Sequence, residues 1–209
     1  MPIQNITPNV IQAAQFRIKF RDIFKLKEFY KAVHFWLDES EWSSTESDGK
    51  KPEGKDHFET LYLEKQGGKG EKEIWWWWRL QKIPTGNSYY KYHLDFDAHV
   101  LYMFPAEIMR DGKKFKVDNG EVEMVVSSYI QFDYAGEWSS HPILRSFNKV
   151  FPRRIFFKDL YDNHKLELYR ETYVLQNFIK KWFKLQTFLP YEQTAEFHPS
   201  WAYPGHKKE

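Results

Sequence analysis

The chain contains no cysteine, so it forms no disulfide and offers no thiolate to a metal or to a nucleophilic mechanism. That lack suits a reducing compartment, and a cytoplasmic location is the expectation it sets. No stretch approaches the ~18 consecutive apolar residues that cross a bilayer. The start, Met1-Pro2-Ile3-Gln4-Asn5, lacks the basic and apolar regions of a secretory signal. No membrane span is expected. Charge of one sign is missing too: with 29% charged residues and a formal net charge of +2, no overall field points to nucleic acid or to an anionic membrane. Gly67-Gly68-Lys69-Gly70 lies between two strand patterns rather than ahead of a helix, so it is a hairpin turn and not a phosphate loop. Ser127, Ser128, Ser139 and Ser140 stand in no nucleophile-elbow pattern. These absences leave no cofactor implied.

What the chain has in excess is rings: 18 Phe, 13 Tyr and 9 Trp, 19% of 209 residues. Four of the tryptophans are consecutive, Trp75 to Trp78. A strand sends successive side chains to opposite faces, so one core cannot hide all four. Ile74, Trp76, Trp78 and Leu80 share the register of an ordinary core, which leaves Trp75 and Trp77 beside Glu73 and Arg79 on a second face that must meet something.

Period along the chain sets out the elements. Phe16, Ile18 and Phe20 alternate with Arg17, Lys19 and Arg21 in a strand over 15–24, and Leu26, Phe29, Tyr30, Val33, Trp36 and Leu37 follow at helical spacing. Ser43 to Asp56 is polar and aperiodic, a loop. His57 to Lys65 and Glu71 to Ile83 form a hairpin. From Tyr90, Tyr92, Leu94, Phe96, Ala98 and Val100 alternate with Lys91, His93, Asp95, Asp97 and His99, which predicts a half-solvated strand. Asp111-Gly112 and Asn119-Gly120 read as two turns bracketing a short strand near Lys114 to Val117, and a long strand runs from Glu121 to Tyr134. Ser139 or Ser140 caps a helix that Pro152 interrupts, and a long helix follows from about Lys158 to Lys184. The segment 187–209 has three prolines among Phe188, Tyr191, Phe197, Trp201 and Tyr203 and no period. So many rings predict an ordered, docked arm, since disordered segments are poor in aromatics.

The domain organisation is therefore an extension at 1–14, one α+β domain at 15–186 and an aromatic arm at 187–209. The domain is a mostly antiparallel sheet of about six strands packed on a long C-terminal helix. This order, strand, helix, strands, helix, resembles the helix-grip arrangement of the START and Bet v 1 families over roughly 15–184. In those families a curved sheet wraps the last helix and often encloses an apolar ligand. The resemblance rests on element order and implies a cavity lined by Trp76, Trp78, Tyr92, Leu94, Phe96, Leu168 and Leu175.

Two constellations invite chemistry. His93, Asp95, Asp97 and His99 occupy one strand face, with donors suited to zinc or manganese. Alternate residues on a strand are about 7 Å apart, so the four cannot reach one ion, and a solvated face with cross-strand charge pairs explains them equally well. Arg17, Lys19, Trp75, Trp77, Arg79, Tyr89, Lys91 and Tyr129 would share the outer sheet register. Rings among cations can stack single-stranded bases, yet Glu73, Asp95, Asp97, Glu123 and Asp133 on the same face would repel a polyanion. Balanced charge with Trp, Tyr and Arg favours a protein interface. The leading expectation is a non-enzymatic binding or assembly domain using that face and Trp201 and Tyr203 of the arm, with a partner protein or a second copy. An apolar-ligand carrier is the alternative, ahead of a nucleic-acid binder or a metal enzyme.

Overall fold

A computed structural model describes residues 9–45, 58–84, 89–110, 112–142, 144 and 159–185. The N-terminal alternation becomes β1 (Val10–Phe24), which begins inside the stretch read as an extension because Ala14 carries the inward register on past a bulge after Gln12. A helix, α1 (Leu26–Glu39), follows at once, and Phe29, Val33 and Leu37 form its buried stripe. The remaining strands are β2 (Ser43–Ser44), β3 (Glu59–Gln66), β4 (Lys72–Lys82), β5 (Tyr90–Arg110) and β6 (Lys113–Phe132). After them come the short α2 (Glu137–Ser140), a π-helical stretch at Asp159–Lys165 and α3 (Leu166–Trp182). The chain is α+β, with a six-stranded antiparallel sheet and a C-terminal helix.

Strands lie in the order β1-β6-β5-β4, and β3 and β2 share the far edge of β4. Register fixes which residues face inward. Phe16, Val126, Phe96 and Trp78 stand in one row, and Ile18, Met124, Ala98 and Trp76 in the next. All eight are buried. Each of the two indoles withdraws about 150–250 Å² from water, on the order of 4–6 kcal/mol before side-chain ordering is subtracted.

The layer over this face is α1 with α3. Leu168, Leu175 and Ile179 of α3 are buried, and Thr172 Oγ1 reaches Ser128 Oγ of β6 at 2.9 Å while also donating to its own helix at Leu168 O. The helices meet through Trp36 and Phe178, with ring centroids 6.0 Å apart, and through Phe29 and Phe183 at 4.7 Å. Glu171 of α3 accepts from Trp42 Nε1 at 2.9 Å and from Lys82 Nζ at 3.0 Å, joining α3 to the β4 edge.

Three local readings are corrected. Asn119-Gly120 is no turn: it lies inside β6, which is continuous from Lys113, so the separate short strand near Lys114 to Val117 does not exist. Gly120 faces a bulge in β5, where Leu101 pairs with Glu121 but Phe104 with Asn119. A Cβ on Gly120 would come within 3.0 Å of Met103 Cα and 3.1 Å of Leu101 O, so the glycine serves close backbone approach. Ser43 and Ser44, read as loop, pair with Gln81 and Leu80. The long helix is α-helical only from Leu166, and the wider π stretch before it brings His164 Nδ1 to 2.7 Å from Tyr92 Oη. Ser139 and Ser140 end the short α2, where the carboxylate of Asp133, a residue at positive φ, accepts the N–H groups of Trp138 and Ser139 at 3.0 and 2.9 Å. Most of the helix expected beyond it and the whole of 187–209 lie outside the described residues.

Candidate functional site

The outer face of the sheet holds the residues expected at an interface, and it divides into parts. Arg17 pairs with Glu123 and Lys19 with Glu121, both at 2.7 Å across β1 and β6. The Arg17 guanidinium holds the Glu123 carboxyl below its ordinary range, mainly through their hydrogen bond. Arg79 is only 8% exposed and Tyr129 only 4%, so neither is presented to solvent as the face alone would suggest. Arg79 Nη1 donates to Asp97 Oδ1 at 2.6 Å, and its Nε lies 3.6 Å from Asp95 Oδ1. Burial raises the Tyr129 hydroxyl pKa. Tyr89 and Lys91 stand apart at the base, Tyr89 against Trp138 and Lys91 over the Tyr134 ring. Trp201 and Tyr203 fall outside the described residues.

Trp75 and Trp77 are half-buried on this face. The Trp75 ring stacks on His99 at 4.6 Å with Lys65 Nζ 4.9 Å over it, and Arg79 lies 5.8 Å from the Trp77 ring. Rings and cations already satisfy one another here. The four candidate metal donors share the face but are held by other side chains: His93 by Gln131 at 2.8 Å, Asp95 and Asp97 both by Arg79, His99 by Glu73 at 2.9 Å. Among the described residues, no three His, Asp or Glu side chains come together to hold a metal ion.

On the inner face Trp76, Trp78, Tyr92, Leu94, Phe96, Leu168 and Leu175 are all buried, so the residues expected to line a cavity under α3 form the core there. An open cleft lies elsewhere, at the far end of the same face. It has a volume of about 830 Å³ and runs between α1 and the ends of β3, β4 and β5. Leu26, Tyr30, Tyr62, Ile74, Trp76 and Met103 give it apolar walls. Of the expected cavity residues only Trp76 reaches it. The β5 bulge builds one wall, since it turns Met103 inward at 7% exposure while Tyr102, at positive φ, points outward at 69%.

The rim is charged and mostly self-satisfied. Lys72 Nζ bonds Glu64 Oε1 at 2.7 Å, Tyr30 donates its hydroxyl to Glu59, and Asp118 Oδ2 accepts the Leu26 N–H at 3.1 Å, capping the start of α1. Burial, then the hydrogen bond to Glu59, raise the Tyr30 hydroxyl pKa; Tyr62 is raised by burial and the nearby Glu64 charge. Both phenols therefore stay neutral. Lys27 and Lys31, one turn apart on α1, complete the rim. The helical period of α1 exposes Leu26 and Tyr30 as part of an apolar stripe, but nothing in it reveals the facing wall, because Met103 enters through a bulge.

No protein-family model and no curated protein matches this chain. Among the described residues no helix is long and apolar enough to cross a membrane.

Proposed function

We propose that this chain is a non-enzymatic binding domain that takes the apolar part of a small ligand into the cleft between α1 and β3–β5. The observation that carries this reading is the cleft itself: about 830 Å³, within the usual 300–1,000 Å³ of ligand sites, walled by aliphatic and aromatic side chains and rimmed by a few placed polar groups. A helix-grip-like arrangement is compatible with it, since β1 lies beside β6 and the last helix packs on both. The cleft would then open at the end of the grip rather than beneath α3.

Nile red, a neutral apolar dye, tests the reading. Saturable fluorescence enhancement with one site per chain is expected. Leu26→Trp, which fills the cleft from a half-buried position, and Tyr62→Ala, which removes an exposed wall, should each weaken it by about tenfold. Melting curves of both variants check that they fold. Absence of saturable binding, or binding indifferent to both changes, overturns the proposal.

A second reading, contact with another protein, is favoured by one feature of the outer face. Leu61 and Leu63 of β3 pair with Trp77 and Trp75 across the register and carry their half-exposed apolar surface to the sheet's edge. Its measure is the oligomeric state.

A further inference from the structure

We infer that the ligand of this cleft is an anionic amphiphile, a single apolar chain ending in one carboxylate, with the head held by Lys27 and Lys31; the inference rests on the ligand-binding reading above. The apolar walls decide the body of the ligand and the rim decides its head. Each rim carboxylate already accepts a donor from the protein: Glu59 from Tyr30, Glu64 from Lys72, Asp118 from the Leu26 N–H. Lys72, the cation on the strand side, is committed to Glu64. Lys27 and Lys31 make no hydrogen bond or ion pair among the described residues, and both line the cleft.

Their spacing matters. Residues four apart on a helix lie on one face about 5–6 Å apart, so the two ammonium groups overhang the same edge, and a carboxylate lodged between them can accept from both. Both residues are exposed, and a lysine's flexible apolar stem can follow an apolar wall while its charge stays at the water boundary, where a head group would sit. The positive end of the α1 dipole adds to the same pole, since Leu26 and Lys27 belong to its first turn. A cationic head would face two unpaired ammoniums on the α1 edge; of the carboxylates, Glu64 is neutralised by Lys72, while Glu59 and Asp118 keep their charge but already accept from the Tyr30 hydroxyl and the Leu26 N–H. A neutral head would leave both lysines unused.

The commitment to one chain with one carboxylate follows from the shape and the charge. Lys27 and Lys31 stand next to each other on one edge of the cleft, so they make one head-group position and with it one tail. With Lys72 paired to Glu64, the Lys27 and Lys31 ammoniums balance the Glu59 and Asp118 carboxylates in charge, so the free donors of the two lysines at one edge, and not a net positive rim, select the head.

Isothermal titration with dodecanoate, dodecanol and dodecyltrimethylammonium, below their aggregation concentrations, separates the head from the tail. The wild-type chain is expected to bind dodecanoate about tenfold or more tightly than dodecanol, and dodecyltrimethylammonium most weakly. Lys27→Gln with Lys31→Gln should bring dodecanoate down to the level of dodecanol and so abolish the preference between them. Both positions are exposed, so the fold should survive, and a melting curve confirms it. Added salt should weaken dodecanoate and spare dodecanol. Equal binding of all three, or a double variant that keeps the preference, overturns the head-group inference while the apolar site stands. Failure of dodecanol and dodecanoate alike, together with loss of the Nile red signal, overturns both.

Discussion

His93 is a buried histidine, a residue whose ordinary pKa lies close to physiological pH. It sits on β5 at 4% exposure, between Lys91 and Asp95 on its own strand and beside Tyr129, Gln131 and Gln81 on the neighbours. Burial lowers its pKa from 6.5 to about 4; the hydrogen bond to Gln131 opposes this and the Lys91 charge adds to it. The folded state thus binds fewer protons than the unfolded state whenever the pH lies between those two values. Stability is fully present above about pH 6.5, falls as the pH drops toward 4, and has lost this contribution below it. The amount is on the order of 3 kcal/mol. Urea unfolding of the wild type at pH 7.5, 6, 5 and 4.5 should show the decline, and His93→Gln should flatten it. A variant as acid-sensitive as the wild type would show that another group governs.

At the scale of elements, the bulge of β5 is the feature on which the cleft depends. Gly120 allows it, because three backbone atoms of residues 101–103 stand within 3.0–3.3 Å of where a Cβ would be. Gly120→Ala must push backbone rather than a flexible side chain, so a loss of about 1–3 kcal/mol is expected. Because Met103 rides on the same bulge, Nile red affinity should fall with it. Unaltered stability and affinity would mean that the bulge yields freely. The same feature marks where sequence reading succeeds and where it stops. Alternation from Tyr90 to Val100 and in the tryptophan strand assigns inner and outer residues correctly, since a pleat of period two leaves little choice. Asn119-Gly120 imitates a hairpin turn because glycine beside asparagine suits both a turn and a close backbone approach, and only the facing strand distinguishes them. The cleft joins α1, β3, β4 and a bulged β5, four pieces whose local periods carry no record of how far they stand apart. The burial of Arg79 and Tyr129 is equally invisible to period, which assigns a face but not what lies over it.

At the scale of the molecule, one sheet separates two surfaces with different prospects. Its inner face is packed by α1 and α3, with the cleft at one end and a second hollow of about 750 Å³ beside Phe20, Phe24 and Phe183, so a ligand in the cleft meets a site built against the core. Its outer face grades from the buried Arg79, His93 and Tyr129 to the half-exposed Trp75 and Trp77, and then to Leu63 at 42% exposure on the β3 edge. Apolar side chains on an edge strand are a liability unless a partner covers them, and the exposed charge of the neighbouring Lys65 would keep such a contact specific rather than indiscriminate. If a second copy covers this edge, light scattering should report mass rising toward the dimer with concentration, and Leu63→Glu with Trp75→Ser should return it to the monomer without touching dodecanoate binding. A monomer at every concentration tested would remove self-association through this edge. A dimer that the double variant leaves intact would place the contact elsewhere on the chain. Loss of dodecanoate binding together with the dimer would mean that the two faces of the sheet act as one site, a coupling the solid core between them argues against.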